Sequence, residues 1–277
     1  MNRIDGKIAV VTGGTQGLGA AIARRLAEAG AAGIVTCGRG VEKGEAVAAT
    51  IQADTGCKVV FQKADLGNVA DCKAVTARAD AEFGRIDILV NAAGITDRGD
   101  ILRTDEALFD KMFAVNTRGP FFLMQGAIEI MIREGIEGAI VNIGSTSALA
   151  GQPFISTYCA SKEALATFTR NTAFAVMRNR IRVNQLNIGW MASDGEDKTQ
   201  REYHGADENW LEKVAAEQPF GRLLAPEEVA KAVNYLASED AGMMTGSVIN
   251  FDQSVWGGYQ FAPPTPERAM SLEAQYG

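Results

Sequence analysis

Histidine is all but missing from this 277-residue chain, which carries His204 and no other. A Ser-His-Asp hydrolase or a histidine-rich metal centre would rest wholly on that residue, so neither is expected and no metal ligands are assigned. Cysteine is scarce as well. Cys37, Cys57, Cys72 and Cys159 lack both metal-ligand and C-x-x-C spacing, a scatter that suits a reduced cytoplasm. No stretch approaches the ~20 apolar residues of a membrane span. Residues 1–11 hold no apolar signal core and no small-residue cleavage site, so a cytoplasmic location is expected. Basic charge is in deficit: 27 Lys and Arg against 34 Asp and Glu leave a net charge of −7. That balance argues against nucleic acid and anionic membrane as partners and leaves a small molecule. Internal repeats and low-complexity tracts are absent too.

What the chain does have is a hydrophobic content of 47% and 30 glycines. Short apolar runs at 8–12, 33–37, 58–62, 86–91, 139–143, 180–186 and 247–251 predict strands. Helical patterns fill 20–29, 41–55, 69–83, 108–133, 156–178 and 226–237. This alternation predicts one α/β domain over 1–277, a doubly wound sheet of seven parallel strands with helices on both faces. Two regions break the pattern: a charged insertion at 190–218, read as a substrate lid, and a tail at 257–277 with Pro263-Pro264. Ligands of such sheets bind at the carboxyl ends of the strands. Gly13, Asp65, Asn91, Ser145 and Gly189 all follow predicted strands, so they should converge on one crevice.

Two local patterns carry chemistry. Gly13-Gly14-Thr15-Gln16-Gly17-Leu18-Gly19 joins the first strand to a helix. Backbone N–H groups and the helix dipole make such a turn an anion site, and glycines let a pyrophosphate approach without Cβ atoms in the way. The second pattern is Tyr158 and Lys162, four residues apart and therefore on one helix face. A phenol ordinarily titrates near about 10, and an adjacent ammonium is expected to pull that value down. Ser145 ends an apolar run and can place a hydroxyl beside the Tyr. Alone, the pair reads far more readily as a core Tyr and a solvated Lys, and the rest of the chain must decide.

In chain order, Thr12 to Gly19, Asn91-Ala92-Ala93-Gly94, Asn116, Ser145 and Tyr158 with Lys162 resemble the motifs of the short-chain dehydrogenase/reductases. The resemblance implies a Rossmann-like domain that moves a hydride between a nicotinamide and an alcohol or carbonyl. It implies Tyr158 as general acid and base, with Ser145 positioning the substrate oxygen. Lys162 would bind the nicotinamide ribose and Asn116 would hold a water of a proton relay. An Asn within a helical pattern also predicts a kink stabilised by its own side chain. Cofactor contacts are implied at Gly13, Thr15, Gln16, Gly17, Leu18 and Gly19, then at Asp65, Leu66, Asn91, Ala92 and Gly94. Further contacts are implied at Tyr158 and Lys162 and, past the sixth strand, at Gly189, Met191 and Ser193. For Asp65, capping the next helix is the other reading. Relatives of this size imply a homotetramer, or a homodimer, built on the helices of Asn116 and Tyr158 and on the last strand.

No carboxylate occupies 34–41, the region where NAD-using relatives bind the ribose hydroxyls. Arg39 stands there instead and can grip a 2′-phosphate, which favours NADP(H) and leaves NAD(H) open. Gln16 stands where many NADP-using relatives carry a basic residue. The family's second Asn is Ala92 here, its Pro-Gly is Ile188-Gly189, and its nicotinamide-binding Thr is Ser193. The insertion at 190–218 is polar and net acidic, which suits a sugar or polyol better than a steroid or long acyl chain. Charges that merely face solvent would say nothing of the pocket. Gln152, Trp190 and His204 join Ser145 and Tyr158 as candidate substrate contacts. A 3-oxoacyl thioester is the alternative substrate, disfavoured because an acidic lid repels an acidic carrier. More distant readings are a silent nucleotide-binding regulator and a cofactor-retaining epimerase or dehydratase.

Overall fold

A computed structural model describes residues 2–149 and 151–256, and the predicted tail at 257–277 lies outside them. Seven strands form one parallel sheet: β1 (Ile8–Thr12), β2 (Gly33–Gly38), β3 (Lys58–Lys63), β4 (Ile88–Asn91), β5 (Ala139–Ser145), β6 (Arg182–Ile188) and β7 (Val248–Phe251). Every residue of β1, β4 and β5 is buried, which explains why these strands read as unbroken apolar runs. Successive side chains still point to opposite faces. Ala9 and Val11 join one core, and Val10 joins the other.

The first core is covered by α1 (Gly17–Glu28), α2 (Val41–Thr55) and α9 (Pro226–Ala237), through Ile22, Ile51 and Val233. The second is covered by α3 (Val69–Phe83), α5 (Gly119–Arg133) and α6 (Ser156–Val176), through Val75, Leu123 and Val176. Strand order is β3-β2-β1-β4-β5-β6-β7, so chain direction across the sheet reverses between β1 and β4. A crevice opens at that reversal, beyond the carboxyl ends of the strands.

Most element ends shift by a few residues from their sequence prediction, as β4 begins at Ile88 rather than at 86, and three differences have a local physical reason. The single helix expected over 108–133 is α4 (Glu106–Phe113), a π-helical turn over Ala114–Arg118, and then α5. Asn116 sits in that turn, so the expected kink is real and takes the form of one widened turn. β6 begins at Arg182 rather than at 180, because Arg180 has φ 57°, a left-handed conformation that no strand continues. The insertion at 190–218 contains two helices, α7 (Asp194–His204) and α8 (Trp210–Glu217). Its acidic side chains disguised them by filling the first turn of α7, where the dipole favours negative charge. Among the described residues no helix is long and apolar enough to cross a membrane.

Candidate active site

The turn between β1 and α1 is built for an anion. Gly13 has φ +73° and Gly17 φ +51°, conformations that glycine adopts without strain. A Cβ on Gly19 would lie 2.3 Å from the Gly13 carbonyl oxygen, so the helix can start this close only because the residue is glycine. Gln16 caps α1 without a side-chain hydrogen bond, and the first turn holds no acidic residue. The N-terminal amides and the positive dipole end are thus left for a ligand, a donor set that fits a dinucleotide pyrophosphate. Thr12 Oγ1 accepts the amides of Ala92 and Ala93, each at 3.0 Å, and ties this turn to the end of β4.

Gly13, Thr15, Gln16, Gly17, Leu18, Gly19, Arg39, Asp65, Leu66, Ala92, Gly94 and Ser193 line one crevice of about 1170 Å³. Asp65 does not cap α3; Asn68 does, accepting the Ala70 amide at 2.8 Å. Asp65 instead closes its own turn, with Oδ1 accepting the Gly67 amide at 2.9 Å. Ser193 caps α7 by accepting the Glu196 amide at 3.2 Å, which leaves its hydroxyl proton free to donate. Arg39 is exposed at the crevice. Lys43, which the sequence reading passed over, donates from Nζ to Gln16 Oε1. A cation therefore stands beside the position where the neutral Gln16 looked unfavourable for a phosphate.

Five expected cofactor residues lie away from the crevice lining: Tyr158 and Lys162, which belong to the cluster described next, and Asn91, Met191 and Gly189. Asn91 is buried and donates to Asn142 Oδ1 at 2.8 Å, inside a polar chain that continues to Thr169. Met191 forms a bridge with Leu224 and packs against the first core. Gly189 donates to the Phe251 carbonyl at 3.1 Å, and a Cβ there would lie 1.9 Å from Asp252 Oδ1. Its role in the fold is to let β6 pass Asp252.

Ser145, Tyr158, Lys162 and Asn116 come together from β5, α6 and the π turn. Ser145 Oγ accepts the Ser147 amide at 3.1 Å and lies close enough to the Tyr158 phenol to act on its titration. Lys162 is buried, its Nζ donating to the Ile143 carbonyl at 2.8 Å and lying 5.8 Å from the Tyr158 ring centre. Asn116 Nδ2 donates to the Ile95 carbonyl at 2.9 Å and to Ser161 Oγ at 3.1 Å. Ser161 Oγ donates in turn to the Tyr158 carbonyl at 2.8 Å. The π turn thus spans from the end of β4 to the helix that carries Tyr158 and Lys162. A Cβ on Gly94 would stand 3.3 Å from Lys162 Nζ, so the crevice floor reaches the ammonium.

The expected lowering of the phenol pKa is not what this arrangement produces. Burial pushes Tyr158 up to about 12, with Ser145 and the Arg98 charge acting in the opposite direction. The same burial pulls the Lys162 ammonium down to about 8. Burial governs both groups, and the hydrogen bond of the ammonium goes to the Ile143 carbonyl.

The candidate substrate residues divide. Trp190 donates to Glu196 Oε1 at 2.8 Å and stacks on Trp210 with ring centres 6.3 Å apart. Gln152 has a buried Oε1 without a hydrogen-bond partner. His204 meets Arg98, whose Nε and Nη2 lie 3.2 and 3.0 Å from His204 Nε2. Part of the insertion's acidity is consumed internally, by Asp197 with Arg201 and Asp207 with Lys213. Arg98 is a second residue that sequence reasoning missed. It lies in an irregular loop after β4, where no periodicity marks it, and only the folded chain brings it beside the lid.

Comparisons with known proteins agree with this geometry. The family profile for short chain dehydrogenase matches residues 7–204. Galactitol 2-dehydrogenase of Agrobacterium fabrum is 32% identical over 260 residues, covering 92% of this chain and 99% of its own. A probable tetrahydroxynaphthalene reductase of Zymoseptoria tritici is 34% identical over 257 residues, covering 91% and 95%. The crystal structure of L-sorbose reductase from Gluconobacter frateurii, complexed with NADPH and L-sorbose, matches with a TM-score of 0.88 at 30% identity. The match covers 94% of this chain and 100% of that one. With its glycine turn, its Ser145-Tyr158-Lys162 cluster and these relatives, the chain belongs to the short-chain dehydrogenase/reductase family and is a nicotinamide-dependent oxidoreductase.

Proposed function

We propose that the chain interconverts a secondary alcohol and a carbonyl on a small, polar, polyhydroxylated substrate of the sugar or polyol class, with NADP(H) as its preferred cofactor. The observation that carries this reading is the meeting of Ser145, Tyr158 and Lys162 at the end of the glycine-lined crevice. The galactitol and sorbose enzymes among the relatives support the substrate class. Arg39, with Lys43 held on Gln16, supports recognition of a 2′-phosphate.

A bound nicotinamide supplies or accepts the hydride at the carbonyl carbon. Tyr158 gives its proton to the carbonyl oxygen in reduction and takes it back in oxidation, while Ser145 holds that oxygen. Lys162 would hold the ribose hydroxyls, and Asn116, which fixes the Ile95 loop, would hold the water of a proton relay. A phenol pushed up to about 12 keeps its proton at neutral pH, the form in which it acts as an acid.

We read α7 and α8 as a lid on a single catalytic domain. Exposed Phe109, Phe121 and Phe174 on α4, α5 and α6 support a homo-oligomer built on those helices. Incubation with NADPH and a panel of ketoses and oxo acids, followed by nicotinamide absorbance, tests the function. Consumption is expected; none with any carbonyl, despite measured cofactor binding, refutes the redox reading.

A further inference from the structure

Arg98 is a half-buried cation placed where the sequence analysis expected only acidity. Its guanidinium lies 5.6 Å from the Phe154 ring centre and 5.7 Å from that of Tyr203, between a loop beside α6 and the lid helix α7. Nη1 donates to the Thr96 carbonyl at 2.7 Å, and Nε and Nη2 meet His204 Nε2. Three of its five N–H groups are therefore committed, all to neutral acceptors. Among the described residues no carboxylate comes within ion-pairing distance of it. Glu196 is the nearest competitor by charge, but its Oε1 is held by Trp190 and Gln200, each at 2.8 Å.

The place matters as much as the charge. Gly99 bridges Ile155 and donates its amide to the Phe154 carbonyl at 2.8 Å, so Arg98 lies beside the segment that leads into Tyr158 at the start of α6. Removing a guanidinium from water without a counter-charge is costly, and a neutral polyol would not offset that cost. A carboxylate would, through charge-assisted hydrogen bonds to the remaining N–H groups. Aromatic faces on two sides hold the fork in one orientation, which suits a planar bidentate partner.

We propose that Arg98 is the anchor for a substrate carboxylate, so that the preferred substrates are polyhydroxy oxo acids and their hydroxy-acid counterparts rather than neutral sugars. This inference rests on the proposed function and narrows its substrate class. His204 acts as a positioning residue: neutral, it accepts from Arg98 and orients the fork toward Tyr158.

The test uses a pair of carbonyl compounds that differ at one terminal carbon, L-sorbose and 5-keto-D-gluconate, with NADPH. Wild type is expected to favour the acid by at least tenfold in kcat/KM. In Arg98→Gln that acid-to-neutral ratio should collapse toward one, and Arg98→Lys should restore part of it. A wild-type preference for the neutral ketose, or an Arg98→Gln variant that keeps the acid preference, overturns the inference while leaving the oxidoreductase reading intact. Binding separates the two readings further. Calorimetry of the full chain with NADP⁺ and a panel of aldonates, each against its alditol, should show aldonate binding that Arg98→Gln loses. Failure of every aldonate to bind overturns the anion site even if no carbonyl is turned over. Binding of sugar phosphates but not aldonates overturns the carboxylate assignment.

Discussion

Asn116 and Ile95 form a reciprocal amide pair: the Ile95 N–H donates to Asn116 Oδ1 and Asn116 Nδ2 donates to the Ile95 carbonyl, both at 2.9 Å. A side chain here completes a strand-like exchange with a loop that has no neighbouring strand. The π turn makes this possible, because widening the helix over Ala114–Arg118 lets the Asn116 side chain reach the loop. Gly94 is thereby held against Lys162, at the junction of the crevice with the reacting groups.

Replacing Asn116 with Ala should therefore act on both structure and turnover. Two part-buried backbone groups of Ile95 lose their partners, a loss on the order of 1–3 kcal/mol. Urea unfolding measures it, and kcat should fall in the same variant. An Asn116→Ala protein as stable as wild type would show that the pair does not hold the loop.

Lys162 predicts a distinctive dependence of stability on pH. Its ammonium titrates at about 8 in the folded protein against an ordinary 10.5, so between those values the unfolded chain binds the proton more tightly. Stability from this residue is lowest below pH 8 and climbs as pH rises toward 10.5, by up to about 3 kcal/mol. The buried thiols Cys37, Cys57 and Cys72, with Tyr158, are pushed upward and act in the opposite sense above their ordinary values. The difference between wild type and Lys162→Met isolates the lysine. That difference should shift in favour of wild type from pH 7 to pH 10, as read by Tm; a flat difference contradicts the burial argument.

Cofactor choice is predicted to reside in Arg39 and, secondarily, in Lys43. Arg39→Gln should raise the Kd for NADPH by roughly tenfold or more, the loss of charge-assisted bonds to a phosphate, and leave NADH nearly unchanged. Lys43→Gln should do the same more weakly. Fluorescence titration with both dinucleotides decides the matter, and equal weakening of the two would assign Arg39 to adenine stacking instead.

The fold was legible because its signals are local. β1, β4 and β5 are short, fully buried and mostly apolar runs, and the glycine turn needs its residues at fixed positions. Tyr158 and Lys162 could be paired on sight because one helical turn sets their spacing. What stayed hidden depends on tertiary contact. The direction of the Tyr158 shift is decided by burial, which spacing alone does not reveal. The acidity of the insertion suggested a polar lid, but Asp197 and Asp207 turned out to be paired within it. Arg98 carries no motif, and only the packing of Phe154, Tyr203 and His204 around it gives it meaning.

The central claim is that Tyr158 moves the proton, and one substitution tests it most directly. Tyr158→Phe removes a single oxygen and keeps the ring in place between Ser145 and Lys162. With NADPH and the best carbonyl substrate, the account predicts a fall in kcat of roughly a hundredfold or more, with NADPH affinity retained. A Phe variant that reduces its substrate at close to the wild-type rate would contradict it.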